Sequence, residues 1–231
     1  MSRNAPFIYN AWTSPELLKI ISDVAGVELV PAMPYDIGHA NISVNSQNDD
    51  EKNAIAPGEQ KSEDSSGYCE SAFGWHTDSY PFVVVTMLSD CEGMVGGETA
   101  IRTGDGTPMK ARGPKRGTAV VMQGQYVQHA ATTASGGRER ISMVTSFRPK
   151  SAAIKDGTIL RGVRNISNIK TLYSQFSEYR LENTEERVRD QLRLLRKNRT
   201  AKREFDTQQM RAFLMEQRDF IDHMLSEVRA D

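Results

Sequence analysis

His76-Thr77-Asp78 and a second histidine, His129, supply two imidazoles and one carboxylate. That ligand set holds Fe(II) on one face and leaves its other positions open. Arg140 stands eleven residues after His129, and Ser142 two further on. A guanidinium can form two parallel hydrogen bonds to a carboxylate, and a serine hydroxyl can add a third. In this order the residues describe a metal chelated by one end of a dicarboxylate cosubstrate whose far end is anchored by Arg140 and Ser142. Each piece alone is common, since a lone strand histidine is usually a core residue and a hairpin arginine is usually solvated. Their conjunction on predicted strands carries the weight.

These residues need strands to position them. On a strand, residues i and i+2 face the same way, so His76 and Asp78 converge while Thr77 points elsewhere. His129 follows the apolar run Ala119-Val120-Val121-Met122, which is expected to present it from a second strand. Thr132 to Gly137 reads as a hairpin turn. Pairing symmetric about Ala134 and Ser135 predicts His129 opposite Arg140, with Ser142 on the same face. Phe82 to Leu88 is apolar on both faces of a period-2 pattern and must be covered on both sides. Further strands are predicted at Val27 to Val30, Ile37 to Val44, Gly96 to Ile101, Gly117 to Val127 and Arg138 to Phe147.

Helices flank this β region. Ser14-Pro15-Glu16 reads as a cap, a first-position proline and an early acid. Leu17, Leu18, Ile20, Ile21 and Val24 follow at helical spacing until Gly26, and this is the one helix expected ahead of the strands. Residues 45–74 are polar and acidic and read as a flexible loop, an inert insertion or an active-site lid. After Pro149 the chain turns helical and charged. Thr184-Glu185-Glu186 is expected to start one helix. Asp206 is expected to cap another, with its apolar stripe from Met210 to Val228 covering the outer sheet face at Ile141, Met143 and Phe147; a homodimer seam is the alternative. Arg187, Arg189, Arg193, Arg196, Lys197 and Arg199 alternate with Glu185, Glu186 and Asp190, which reads as a solvated helix face rather than a nucleic-acid site.

The net charge of −1 over 231 residues gives no global pull toward nucleic acid or anionic membrane. Cys69 and Cys91 lack metal-ligand spacing and read as reduced thiols. No apolar stretch is long enough to span a bilayer and the N-terminal residues lack a secretory h-region, so a cytoplasmic protein is expected.

The pattern His76-Thr77-Asp78, His129 and Arg140-Ile141-Ser142 resembles the Fe(II)/2-oxoglutarate-dependent dioxygenases, in particular the class with an arginine-x-serine clamp that includes isopenicillin N synthase. The stretch from Gly74 to Pro149, with Leu88-Ser89-Asp90 and Gly96-Gly97-Glu98-Thr99, resembles uncharacterised fungal members of that superfamily. The similarity is strong there and loose over 27–150.

The resemblance implies a mainly β fold, a double-stranded β-helix (jelly roll, cupin-like) over 1–150, with C-terminal α-helices over 151–231 packing on the barrel. It implies Fe(II) held by His76, Asp78 and His129, 2-oxoglutarate bound by Arg140 and Ser142, and dioxygen as oxidant. Succinate and carbon dioxide would form as a small-molecule metabolite is hydroxylated, desaturated or cyclised. The cosubstrate-contacting tyrosine common in the family has no clear match, and Asn41 is the polar candidate in its place. Trp75, Tyr80, Tyr35, His39 and Arg102 are candidate substrate contacts. Two other readings stand beside this one: an iron oxidase that does not use 2-oxoglutarate, with Arg140 and Ser142 holding a substrate carboxylate, and a catalytically silent jelly-roll binding protein.

Overall fold

The computed structural model describes residues 5–44, 71–111, 115–132, 134–135 and 139–230. Two short helices come first, α1 (Pro6–Trp12) and α2 (Pro15–Ala25). The Ser14 side chain accepts from Leu17 N at the start of α2, and Gly26, with φ 72°, ends it. Among the described residues eleven strands follow: β1 (Leu29–Pro31), β2 (His39–Val44), β3 (Ser71–His76), β4 (Phe82–Met87), β5 (Val95–Gly96), β6 (Thr99–Arg102), β7 (Pro108–Lys110), β8 (Ala119–Met122), β9 (His129–Thr132), β10 (Ala134–Ser135) and β11 (Glu139–Pro149). Two helices close the chain, α3 (Ile169–Thr200) and α4 (Thr207–Glu227).

The strands form two main antiparallel sheets. One runs β1-β11-β4-β8, with β2 sharing the β1 edge of β11, and the other runs β3-β9-β6-β7. Val85, Met87 and Val120 from the first sheet and Thr99 from the second line one small cavity, so the two sheets meet face to face there. The apolar β4 is covered on both sides, as its sequence demands. Phe82 and Val84 face outward into a core with Trp12, Ile21, Leu29, Ile37 and Phe147. Trp12 and the fully buried Phe147 lie 5.9 Å apart between ring centroids.

That core corrects two expectations. Two helices, not one, precede the strands, and they cover the sheet face carrying Met143 and Phe147 in place of the 210–228 stripe. Leu214, Ile221 and Leu225 of that stripe are exposed. A second core joins Met33 and Tyr80 to Leu160, Leu172, Phe176 and Tyr179, which docks the first half of α3 near the β1 end of the sheet.

The helix expected to start at Thr184 begins fifteen residues earlier, where Asn168 caps Thr171 N. Thr184 lies inside it, its hydroxyl donating to Arg180 O. Asp206 caps Gln209 N as expected. The loop expected over 45–74 lies outside the described residues up to 70, but its last residues form β3. The 132–137 turn is described only in part. What is described contradicts the hairpin: β9 pairs with β3 and β6, β11 pairs with β1, β2 and β4, and Ala134 lies opposite Gly96.

Phe147→Ala is expected to cost about 3–5 kcal/mol in a denaturant titration, the range for removing a buried aromatic. Leu214→Ala, on the exposed side of α4, is expected to stay within about 0.5 kcal/mol of the parent. Equal costs would contradict this placement of the core.

Candidate metal centre

His76 and His129 face each other across the β3–β9 pairing. Ile101 of β6 flanks His129 on its other side. The imidazole centroids are 4.5 Å apart. Asp78 completes the group, with Oδ1 3.8 Å from His76 Nε2 and Oδ2 3.4 Å from His129 Nε2. The three ligand atoms all lie within 4.8 Å of one another.

The route to this convergence differs from the expected one. β3 ends at His76 after register shifts, so Asp78 lies beyond the strand and not on its i+2 face. What holds it is a bond from Asp78 N to Gly124 O, 2.8 Å. His129 likewise opens its own strand, separated from β8 by the 123–128 turn.

Both histidines have their tautomer set by the backbone. His76 Nδ1 is 2.8 Å from Gly74 O, and His129 Nδ1 is 2.9 Å from Val127 O. A carbonyl only accepts, so each Nδ1 carries a proton and each Nε2 is the ring nitrogen that faces Asp78. Such backing of the far ring nitrogen is the usual support of a metal-bound imidazole. Burial acts to lower the pKa of His129, but the Asp78 carboxylate and the Val127 carbonyl outweigh it and the net shift is upward. The site is open on one side, since the His129 side chain is 8% exposed and those of Asp78 and His76 are 22% and 46%.

Arg140 and Ser142 sit on β11, in the other sheet. Arg140 lies opposite Ser43, and Ser142 opposite Asn41 and Met87. His129 therefore does not neighbour Arg140 along one hairpin; the metal group and the clamp candidates belong to different sheets. Arg140 Nε donates to Gly97 O at 3.2 Å, and Nη1 to the buried Ser142 Oγ at 3.3 Å. Burial lowers the Arg140 pKa, yet a guanidinium stays charged at any ordinary pH. Among the described residues it has no carboxylate partner, which leaves it suited to an anion. The cavity beside it is about 30 Å³ in this conformation, room for a water molecule or two. A dicarboxylate there would need flexible side chains such as Met87 to turn aside. Asn41, exposed at the sheet edge, shares the Ser142 face.

The other candidates are mostly occupied. Tyr80 is buried, donating to Asp36 Oδ2 at 2.5 Å, and burial beside that carboxylate pushes its pKa far up. Tyr35 Oη accepts from Asn168 N at 2.9 Å. His39 Nε2 lies 3.2 Å from Asp36 Oδ1. Arg102 stacks 4.8 Å over the half-exposed Trp75 ring and donates to Gln128.

Gly124 is the site residue that sequence reading missed. A Cβ there would lie 2.9 Å from Asp78 Cγ, 3.0 Å from its Cβ, and closer still to Oδ2. The Asp78 carboxylate thus occupies the space a side chain would fill. Within Gln123-Gly124-Gln125 a glycine reads as an ordinary turn residue, so no sequence signal marks it.

Neither a protein-family model nor a curated protein sequence matches the chain. Solved structures give partial likenesses. A 2OG-Fe(II) oxygenase family oxidoreductase from Burkholderia pseudomallei is 19% identical, with a TM-score of 0.42 over 62% of this chain and 55% of that one. IDO from Bacillus thuringiensis is 21% identical, with a TM-score of 0.25 over 33% of this chain and 38% of that one. A cupin domain from Bordetella pertussis Tohama I is 16% identical, with a TM-score of 0.22 over 32% and 67%. The chain thus spans 55% of the length of the first. These likenesses are partial, and the functional reading rests on the geometry of the site. Among the described residues no helix is long and apolar enough to cross a membrane.

Gly124→Ala is expected to push Asp78 out of place and weaken Fe(II) binding about 10- to 100-fold, the range seen when a ligand's supporting contact is lost. Calorimetric titration of folded protein checks this. Unchanged affinity would show that Asp78 does not need the Gly124 notch.

Proposed function

We propose that this chain is a mononuclear iron(II) oxygenase that consumes 2-oxoglutarate and dioxygen and oxidises a small-molecule substrate on a double-stranded β-helix scaffold. The observation that carries the proposal is the convergence of His76, Asp78 and His129 within 4.8 Å, with both imidazoles backed at Nδ1 by main-chain carbonyls. Two imidazole nitrogens and one carboxylate oxygen suit Fe(II), and three protein ligands leave positions for cosubstrate and oxygen. Bound there with 2-oxoglutarate and dioxygen, iron supplies the oxidising power for hydroxylation, desaturation or ring closure, and succinate and carbon dioxide leave.

The chain's own residues position and select. His129 anchors the metal from the buried side, while His76 and Asp78 hold it at the solvent-facing side, where substrate arrives. Arg140 receives the far carboxylate of the cosubstrate, and Ser142, already within hydrogen-bond reach of the guanidinium, fixes its rotamer. A five-carbon diacid held there would reach from His76, Asp78 and His129 toward Arg140 once side chains such as Met87 turn aside.

Anaerobic titration of metal-free protein with Fe(II) and 2-oxoglutarate tests this. A visible charge-transfer band is expected only with both additions, absent in His76→Ala and weakened in Arg140→Ala. No band in folded parent protein would overturn the cosubstrate assignment. Oxygen consumption without succinate would move Arg140 and Ser142 to holding a substrate carboxylate.

A further inference from the structure

Away from the iron-ligand candidates, α3, α4 and the 152–157 segment enclose a cavity of about 830 Å³, within the ~300–1,000 Å³ typical of small-molecule sites. His76, Asp78, His129 and Arg140 do not line it. Three of its polar residues are more than nine-tenths buried: Asp156, Arg180 and Gln217, at 7%, 1% and 8% exposure. Each carries an atom without a hydrogen-bond partner, namely Asp156 Oδ2, Arg180 Nε and Gln217 Oε1. Leaving a buried polar atom so costs about 1–3 kcal/mol.

The orphaned atoms sit in a rigid frame. Asp156 Oδ1 accepts from Thr158 N at 2.9 Å and from Thr158 Oγ1 at 2.6 Å, which fixes the carboxylate with its second oxygen unused. Arg180 Nη1 donates to Asp156 O at 3.1 Å, and Nη2 to His223 Nδ1 at 3.1 Å. Burial and the Arg180 charge lower the His223 pKa, so this imidazole is a neutral acceptor.

Charge of both signs lines the cavity, with the carboxylates of Asp156, Asp190, Glu216 and Asp219 alongside the cations. Arg180 Cζ lies 3.5 Å and Arg187 Cζ 4.1 Å from the Phe220 ring centroid. Burial first, and Arg180 second, lower the Arg187 pKa. Arg187 is thus no part of a solvated helix face, since its Nε donates to Ala152 O at 2.7 Å. Lys155 adds a third cation to the lining, and Glu216 offsets part of the Arg187 charge.

Water alone could satisfy the two orphaned acceptors, but among the described residues it would leave the Arg180 and Arg187 guanidiniums, stacked on one ring, with no carboxylate at ion-pair distance. A ligand answering both demands needs N–H donors at one end and a carboxylate at the other. We propose that this cavity binds a free amino acid, its ammonium group on Asp156 Oδ2 and Gln217 Oε1 and its carboxylate on Arg187 and Lys155. The site stands independently of the iron assignment.

Metal-free protein in excess chelator, titrated with each standard L-amino acid by saturation-transfer NMR, tests the proposal. Saturable binding of at least one is expected. Arg187→Met and Gln217→Leu should each weaken it about tenfold or more, equivalent to one hydrogen bond to a charged group. Arg140→Ala should leave it unchanged. Gln217→Leu keeps shape and volume, so it remains informative should Arg187→Met fail to fold. The proposal is overturned if no amino acid binds the folded parent, if binding survives the substitutions, or if Arg140→Ala abolishes it and so places the ligand at the iron centre.

Discussion

Strand β11 is the constraint on which the rest of the fold depends, because it is hydrogen-bonded along both edges. β4 pairs with it over Ser142–Phe147 on one side, while β2 and β1 divide the other. A strand held so cannot slip by one residue, since a slip would turn every side chain to the opposite face. Phe147 and Met143 would leave the α1–α2 core, and Arg140 would turn to the outer face. The burial of Phe147 therefore fixes the direction of Arg140 and Ser142, seven and five residues away in the same strand. Hydrophobic packing on the outer face sets polar geometry on the inner one.

The metal group obeys a looser rule. Its sheet is irregular where it matters, with register shifts on either side of Phe73 in β3. Pairing resumed after those shifts brings His76 to His129, but the carboxylate comes from the chain beyond the strand. It is aimed by one main-chain hydrogen bond and by the lack of a side chain at Gly124. The segment after Asp78 is itself tied down: Ser79 O accepts from Ile159 N, and Ser79 Oγ accepts from Gly162 N. Placement of Asp78 thus depends on chain from well beyond the sheet.

What the sequence made legible was local chemistry. The ligand types, the apolar run of β4, the Ser14 and Asp206 caps and the Gly26 stop all depend on near neighbours. What it hid was partner choice. β9 and β11 are close in sequence and suggested a hairpin, but facing sheets let consecutive strands pair on opposite sides of the molecule, and short separation does not report that. The first half of α3 was hidden for another reason. Arg180, among the largest fully buried side chains, sits where a periodic reading expects an apolar residue, and Asn183 is buried one turn later. A charge stacked on Phe220 within the core breaks the polar–apolar contrast on which amphipathic readings depend.

The corrected topology changes what the proposed cosubstrate must do. On one hairpin, His129 and Arg140 would have been cross-strand neighbours, ~5 Å apart, and a compact anion could have touched both. Placed on facing sheets, which pack about 10 Å apart, they would be joined, on the proposed function, by a molecule that chelates at one end and carries a carboxylate at the other. A monocarboxylate reaching Arg140 would not reach the metal, and a short chelator at the metal would leave the guanidinium without its anion. On the proposed function, the half-buried charge of Arg140, in a wall that Val85, Met87 and Val120 share with Glu98, Thr99 and Thr118, would select for length as well as charge: a second carboxylate too close to the first would meet Glu98 or an apolar side chain in place of the guanidinium, and desolvating it there without a partner costs several kcal/mol.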